Sequence, residues 1–410
     1  MRSIIESKSQ IQYNIATSAK DYPVSDLPTM AKAFRESGYE TPSYVLDHAA
    51  YHRNGRILKE VQDATGARII LAQKAFACFH LYPTLRNYLA GTAASGLHEA
   101  RLGAEEFGGE VHVFSPAYKP KEMAELLKIS DHIVFNSLSQ WTRYRDEVLA
   151  NTRKVSPGLR INPEYAEAVA EIYNPCAPGS RFGVLAELMN ENDFKGIEGL
   201  HFHTLCEQGA DALERTLEAV VAKFDCWIKK VKWVNFGGGH LITSPGYDVE
   251  LLIKVIKDFQ ARYPHLQIYL EPGEAIASDG GVLVGSVIDI VENGMQVAVL
   301  DVSATAHMPD VLEMPYRPSV LGSGKPGAKK YTYRFGGPTC LSGDVIGDYS
   351  FNEPLKIGDQ IVFHDMAHYT IVKNTTFNGV PLPSISILQE TGEVELIREF
   401  DYDDYKCRLG

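Results

Sequence analysis

The sequence predicts an α/β fold: a (β/α)8 TIM-type barrel followed by a C-terminal all-β domain. Three observations carry this. Short apolar runs alternate with helical patterns from about residue 68 to residue 272, and eight strands with intervening helices suit a barrel better than a doubly wound sheet. After about residue 280 strand-like segments follow one another with Gly and Pro between them, and helical periodicity fades. The residues best suited to chemistry fall at the C-terminal ends of the predicted strands, which in a barrel converge on one mouth.

The eight runs are 69–72, 91–94, 111–114, 132–135, 159–162, 200–203, 231–236 and 268–271. Between the last three, Leu213, Leu217, Val220, Val221, Phe224 and Ile228 form one helical stripe, and Leu251, Val255, Ile256 and Phe259 form another. The β-domain segments are 282–291, 296–300, 331–335, 360–363 and 369–373, and residues 41–50 offer a further strand from the N-terminal side. The predicted organisation is an N-terminal segment, 1–50, with a strand joining the β-domain; a barrel, 51–280; and the β-domain, 281–410. The first 28 residues receive no assignment.

With 410 residues, 45% apolar and 22% charged, the chain has the composition of a globular protein and excludes a disordered or fibrous one. No apolar run approaches the roughly 18 residues of a membrane span, and Met1 to Lys20 lacks the apolar core of a secretory signal; the expectation is a cytoplasmic protein without a membrane partner. Lys and Arg number 40 against 52 Asp and Glu, a net charge of −12, and no basic run occurs, which argues against nucleic acid. An acidic field would steer a cationic small molecule, although solubility alone accounts for it. The six cysteines are scattered without a CxxC pair, so neither a disulfide framework nor a structural zinc site is expected.

Lys74 follows the first strand in Leu71-Ala-Gln-Lys-Ala-Phe76. Apolar surroundings disfavour the ammonium and lower its pKa, as a carbonyl-binding lysine requires; the plainer reading is a lysine that snorkels to solvent. Gly237, Gly238 and Gly239 close strand seven ahead of a predicted helix, where backbone N–H groups and the helix end could hold a phosphate. Glu271-Pro-Gly-Glu274 closes strand eight, where a carboxylate could keep a pyridine nitrogen protonated; Pro-Gly is also ordinary turn chemistry. His201 and His203 share a strand face and could bind a metal, or His203 could stack on an aromatic ring; a structural role with a backbone partner is favoured for His201. Beyond residue 280, Cys340 lies among small residues in a segment ending at Asp344, and Tyr369 closes a His/Asp-rich stretch.

At these residues the sequence resembles the fold-type III pyridoxal-phosphate decarboxylases, the alanine-racemase-like group that includes ornithine and diaminopimelate decarboxylases. The resemblance runs from about residue 41 to residue 390, and within the group it is most similar to the carboxynorspermidine/carboxyspermidine decarboxylases. It rests on Leu71-Ala-Gln-Lys-Ala-Phe76, Gly199-Leu-His-Phe-His-Thr-Leu-Cys-Glu-Gln208, Asn235-Phe-Gly-Gly-Gly-His240, Glu271-Pro-Gly-Glu-Ala275 and Gly337-Pro-Thr-Cys340. It implies pyridoxal 5'-phosphate as cofactor, with Lys74 as its covalent attachment, His203 against the ring, Glu271 at the ring nitrogen, and Gly237, Gly238, Gly239 and Tyr369 at the phosphate. It further implies a head-to-tail homodimer in which Cys340 comes from the second subunit and reprotonates the substrate carbon. Asp344 approaches the same pocket in this reading, and no metal is used.

Two departures bear on the substrate. Glu274 stands where diaminopimelate and ornithine decarboxylases usually carry Arg, and Leu341 where diaminopimelate decarboxylases have Glu. Reversing that charge disfavours a substrate with a second carboxylate and tolerates a polyamine tail. Asp310 and Glu313 lie where this group places an acid for the distal amine, and the sequence does not separate them. The expected activity is decarboxylation of carboxynorspermidine and carboxyspermidine in polyamine synthesis. The competing readings are a diaminopimelate or basic amino-acid decarboxylase, a metal-dependent barrel hydrolase built on His201 and His203, and a non-catalytic relative.

Overall fold

The computed structural model describes residues 24–167 and 171–410. They fall into two compact units, one of Asn54–Ile276 and one of residues 24–53 with Ala277–Gly410. The start of the chain, left without assignment above, lies largely outside the described residues.

The N-terminal helix α1 (Leu27–Ser37) begins where the Asp26 side chain accepts the Thr29 N–H at 2.8 Å and ends at Gly38, whose φ of 74° stops the helix. It buries Met30, Ala31 and Phe34. Strand β1 (Ser43–Asp47) is the strand expected from the N-terminal side, and α2 (His48–Thr65) follows directly.

The barrel consists of β2 (Arg68–Ala72), β3 (Gly91–Ala94), β4 (Glu110–Phe114), β5 (His132–Phe135), β6 (Ser156–Arg160), β7 (Gly199–His201), β8 (Trp233–Asn235) and β9 (Gln267–Leu270). All pairs are parallel, and β2 against β9 closes the ring. Each of the eight predicted runs overlaps one of these strands. The largest displacement is at β6, which begins at Ser156-Pro157-Gly158, residues with turn character. The reason lies inside the barrel. A Cβ on Gly199 would sit 1.9 Å from the Trp233 indole and one on Gly158 2.4 Å from it, so both positions must be bare to admit that ring. Trp233 in turn stacks on His132 at 4.6 Å, which stacks on His112 at 4.0 Å.

Outside the barrel, the helix Ala210–Ile228 buries Leu213, Leu217, Val220, Phe224 and Ile228, most of the predicted stripe. The helix Val249–Arg262 buries Leu252, Val255, Ile256 and Phe259. Its start corrects one expectation: the triple glycine does not open a helix, because a turn-rich segment separates it from Asp248, the true N-cap.

The second unit contains β10 (Gly281–Glu292), β11 (Gln296–Leu300), β12 (Tyr331–Gly336), β13 (Val345–Phe351), β14 (Gln360–His364), β15 (Ser384–Leu388) and β16 (Val394–Arg398). The sheet order is β13-β12-β11-β10-β1-β15-β16, with β14 also pairing β10. Central strands bury both faces. Tyr44 and Leu283 face a cluster with Phe335, Tyr349 and Phe363, while Val45, Val282 and Val284 face Phe34 of α1. The expected strand 369–373 is absent: this segment is a series of turns with Tyr369 at φ 51°. Strands β13, β15 and β16 were not among the predicted segments. Among the described residues no helix is long and apolar enough to cross a membrane.

Candidate active site

The C-terminal ends of β2, β6, β7, β8 and β9 bring together the barrel's candidate residues. Lys74 lies in the turn after β2, which the Ala75 N–H to Ala72 carbonyl bond of 3.1 Å tightens. Solvent reaches the side chain through the mouth, and protein encloses it on the other sides. That enclosure pulls the Lys74 ammonium below the usual lysine pKa, against the opposing charge of Glu271. Its Nζ stands 3.4 Å from His203 Nε2.

His203 Nδ1 accepts the Gly238 N–H at 2.9 Å. Burial, reinforced by the Lys74 charge, depresses the imidazole pKa to about 3, so the ring is neutral and its single proton belongs on Nε2. His201, which is buried, binds Glu271 Oε1 through Nε2 at 2.9 Å, a carboxylate where a backbone partner was expected. Asn235 donates from Nδ2 to Glu271 Oε2 at 3.1 Å. Burial alone would raise the Glu271 pKa, but the His201 and His203 imidazoles outweigh it and hold the carboxyl well below its usual range. Glu271 is therefore a fixed negative charge, held by His201 at the end of β7 and Asn235 at the end of β8. Glu271 takes His201 Nε2 and Gly238 occupies His203 Nδ1, so the two imidazoles are tied to different partners within the protein.

The triple glycine is a cradle with no room for side chains. A Cβ on Gly238 would lie 2.3 Å from the Glu271 carbonyl oxygen and one on Gly239 2.0 Å from that of Leu205. Gly237 and Gly239 have φ of 77° and 82°. Gly237 donates its N–H to Asn235 Oδ1 at 2.8 Å, so Asn235 fixes both the loop and Glu271. Among the described residues, the N–H groups of Gly239 and His240 have no protein acceptor. A glycine cradle with free N–H donors fits a phosphate. A reactive lysine, a flat neutral imidazole and a fixed carboxylate beside it fit the rest of a pyridoxal ring.

Arg160, at the end of β6, was not among the predicted site residues. It is buried, its guanidinium lies 4.5 Å from the Phe114 ring and 4.4 Å from Phe182, and it donates to the His203 carbonyl at 3.1 Å. Burial lowers its pKa to about 10 while Glu271 opposes that shift, so it stays charged. The available signal was an arginine in an apolar run at a barrel strand end. Cys206 also lies near this mouth; burial and the charges of Glu207 and Glu274 raise its thiol pKa to about 11, leaving it protonated. Glu274 itself begins the short helix Glu274–Ala277.

In the second unit Cys340 is exposed, and its N–H donates to Asn378 Oδ1 at 2.8 Å. Asp344 is buried beneath that loop. It accepts from Ser303 Oγ at 2.9 Å, Thr305 N–H at 3.1 Å and Thr339 Oγ1 at 2.7 Å. These bonds occupy its carboxylate within its own unit, which makes it an anchor for the Cys340 loop. Asp310 and Glu313 converge on one cation: Lys373 Nζ lies 2.5 Å from Asp310 Oδ1 and 2.5 Å from Glu313 Oε2. Tyr369 precedes that lysine in the turn series, accepting the Lys373 N–H on its carbonyl at 3.0 Å.

Residues 43–367 match the family model described as "Pyridoxal-dependent decarboxylase, C-terminal sheet domain". The chain is 49% identical over 377 residues to a carboxyaminopropylagmatine decarboxylase of Synechocystis, covering 92% of this chain and 97% of that protein. It is 46% identical over 380 residues to a carboxynorspermidine/carboxyspermidine decarboxylase of Campylobacter jejuni, covering 90% and 98%. The crystal structure of carboxynorspermidine decarboxylase complexed with norspermidine from Campylobacter jejuni superposes with a TM-score of 0.84 at 45% identity, covering 90% of this chain and all of that one.

Proposed function

We propose that this chain, which belongs to the pyridoxal-dependent decarboxylases, removes the carboxylate of a carboxylated polyamine, converting carboxynorspermidine to norspermidine and carboxyspermidine to spermidine. The observation that carries this reading is the barrel mouth: a lysine of lowered pKa beside a neutral histidine and a doubly bonded carboxylate. When bound, pyridoxal phosphate supplies an aldehyde for the substrate amine and a ring that accepts the electron pair released with carbon dioxide.

Every other part of the chemistry falls to the chain. Lys74 is the residue that would hold the cofactor through Nζ, and the lowered proton affinity of its amine keeps that nitrogen available. Gly237, Gly238 and Gly239 bind the phosphate, and Tyr369 contributes to it. Glu271, as a fixed carboxylate, would keep the ring nitrogen protonated, and the neutral His203 imidazole would support the ring. Arg160 positions His203 through its carbonyl and adds positive potential that favours the free amine of Lys74. Racemases of this fold place an arginine at the ring nitrogen; a carboxylate there makes a deeper electron sink, which suits loss of carbon dioxide. Cys340, supplied by the second copy in a head-to-tail homodimer, returns a proton to the carbon that has lost its carboxylate.

Glu274 places negative charge near the substrate, which opposes a second carboxylate and accommodates a cationic tail. Asp310 and Glu313 together receive the tail's ammonium groups, and Lys373 is the resident cation with which that tail competes. Asp344 acts on this site only by holding the Cys340 loop.

A second reading has its own support. The Synechocystis relative, at 49% identity, is named for carboxyaminopropylagmatine, whose tail ends in a guanidinium where the triamines end in an ammonium. Both tails are cationic and suit an acidic pair, and Asp310 and Glu313 could receive the planar guanidinium in fork geometry. The deciding experiment incubates the purified holoenzyme with carboxynorspermidine, carboxyspermidine, carboxyaminopropylagmatine and diaminopimelate, measuring carbon dioxide and the amine formed. Release from a carboxy-triamine with the highest kcat/KM supports the first reading. The highest value on the agmatine derivative selects the second, and preference for diaminopimelate overturns both.

A further inference from the structure

A second cluster of ligating side chains includes none of the residues assigned above. His48 and His52 stand one helical turn apart in the first turns of α2, and Glu390 stands in the turn joining β15 to β16. The sheet explains why they meet. Strands β1 and β15 pair in parallel with Asp47 against Leu388, so the chain leaves β1 at His48 beside the point where it leaves β15.

Both supports are fixed. Asp47 accepts the Ala49 N–H at 3.2 Å and the Ser25 N–H at 2.7 Å, which pins the start of α2. The β15–β16 turn is closed by Gln389 N–H to the Glu393 carbonyl and Gly392 N–H to the Gln389 carbonyl, both 2.8 Å. Within this frame the two imidazole centroids are 4.8 Å apart, His52 Nε2 is 3.5 Å from Glu390 Oε1, and one ligand atom from each residue lies within 4.8 Å of the others.

Those separations can be compared with a metal's requirements. Nitrogen and oxygen ligands about 2.0–2.2 Å from a tetrahedral zinc ion stand about 3.3–3.6 Å from one another. The His52–Glu390 pair already has that spacing, and rotation of side chains at the rim can close the wider separation. Two imidazoles with a carboxylate select a borderline transition ion, whereas calcium and magnesium prefer oxygen ligands alone.

We propose that His48, His52 and Glu390 bind one divalent transition-metal ion of the zinc class, with water in the fourth position. The ion would clip the first turn of α2 to the β15–β16 turn. Because it binds the folded chain, it stabilises that chain by mass action. None of the three residues belongs to the decarboxylase site, so turnover would not depend on the ion.

The test uses holoenzyme freed of metal by a chelator and then dialysed against Zn2+. The expected result is one ion per chain, a raised melting temperature, and affinity weakened at least about tenfold in H48A/H52A and in E390Q, with turnover unchanged in these variants. Exposed Cys226, Cys340 and Cys407 are the competing ligands, so zinc X-ray absorption on the unmodified enzyme is the second measurement. It should show imidazole nitrogen and oxygen without sulfur, a result that holds even where a variant fails to fold. Sulfur ligation, equal binding by the unmodified enzyme and H48A/H52A, or no bound zinc at all would overturn the site and leave His52–Glu390 a surface ion pair.

Discussion

The barrel and the sheet unit hold their candidate residues in opposite ways. In the barrel, Glu271, His201, Asn235 and Arg160 are largely enclosed and joined through three adjacent strands and the loop after a fourth. In the sheet unit the candidate proton donor, Cys340, is exposed, and only the anchor beneath it, Asp344, is buried. The difference follows from what each group must do. A charge that must keep one protonation state is best embedded and bonded on every side. A thiol that serves the second copy, as proposed above, must stand outside its own unit, where that copy can receive it. Lys74 lies between these extremes, enclosed enough for a lowered pKa yet open at the mouth.

Substitutions on both sides can break or sharpen this contrast. Lys74→Ala should abolish covalent cofactor attachment, read by borohydride reduction and mass spectrometry, and cut turnover on the order of 10⁴-fold or more, as removal of a nucleophile does. Normal activity in that variant would end the assignment. Cys340→Ala should slow the step after carbon dioxide loss by about 10²–10⁴-fold, the range of a positioned general acid, while leaving the cofactor's spectrum unchanged. Retained turnover and product stereochemistry would free Cys340 of the role. Glu271→Gln keeps the shape but removes the embedded charge, and kcat should fall about 10²–10³-fold with a smaller change in KM. A variant that altered only KM would make Glu271 a binding group.

Smaller effects should appear in stability. Asp344→Ala strands the Ser303 and Thr339 hydroxyls and the Thr305 N–H, and should cost about 2–3 kcal/mol in urea unfolding. Acid should loosen the barrel first. Burial holds His203 at about 3 and His240 at about 4 when folded, against about 6.5 when unfolded. Between those limits the unfolded chain binds more protons, so stability is present above about pH 6.5 and is lost as pH falls towards the folded values. In the sheet unit His307 shifts the same way, but His364, raised by its bond to Asp279, opposes the trend. Hydrogen exchange near pH 5 compared with pH 7.5 should therefore rise in barrel peptides before sheet peptides; the reverse order would place the acid-sensitive groups elsewhere.

Much of this was legible in the sequence because periodicity and strand-end position are local signals. Lys74, His203, the triple glycine and Glu271 each follow directly on a strand, so locating the strands located them. What escaped depends on distant partners. Strand β6 carries a glycine at 158 because Trp233, far along the chain, needs the space above it. Arg160 is explained by Phe114, Phe182 and the His203 carbonyl, all distant from it in sequence. The hold that Asp344 has on the Cys340 loop is invisible in its own segment, because Ser303 and Thr305 lie some forty residues away. Lys373 acquires its meaning only from the two distant acids that grip it.

The rings of His112, His132, Trp233 and Tyr269 come from strands on opposite sides of the barrel and touch one another, so they can meet only on its axis. They act as a stopper, making the barrel a vessel with a floor. Whatever Lys74 exchanges, whether amine, carbon dioxide or water, must arrive and depart over the same rim, and anything that covers that rim controls all the traffic at once.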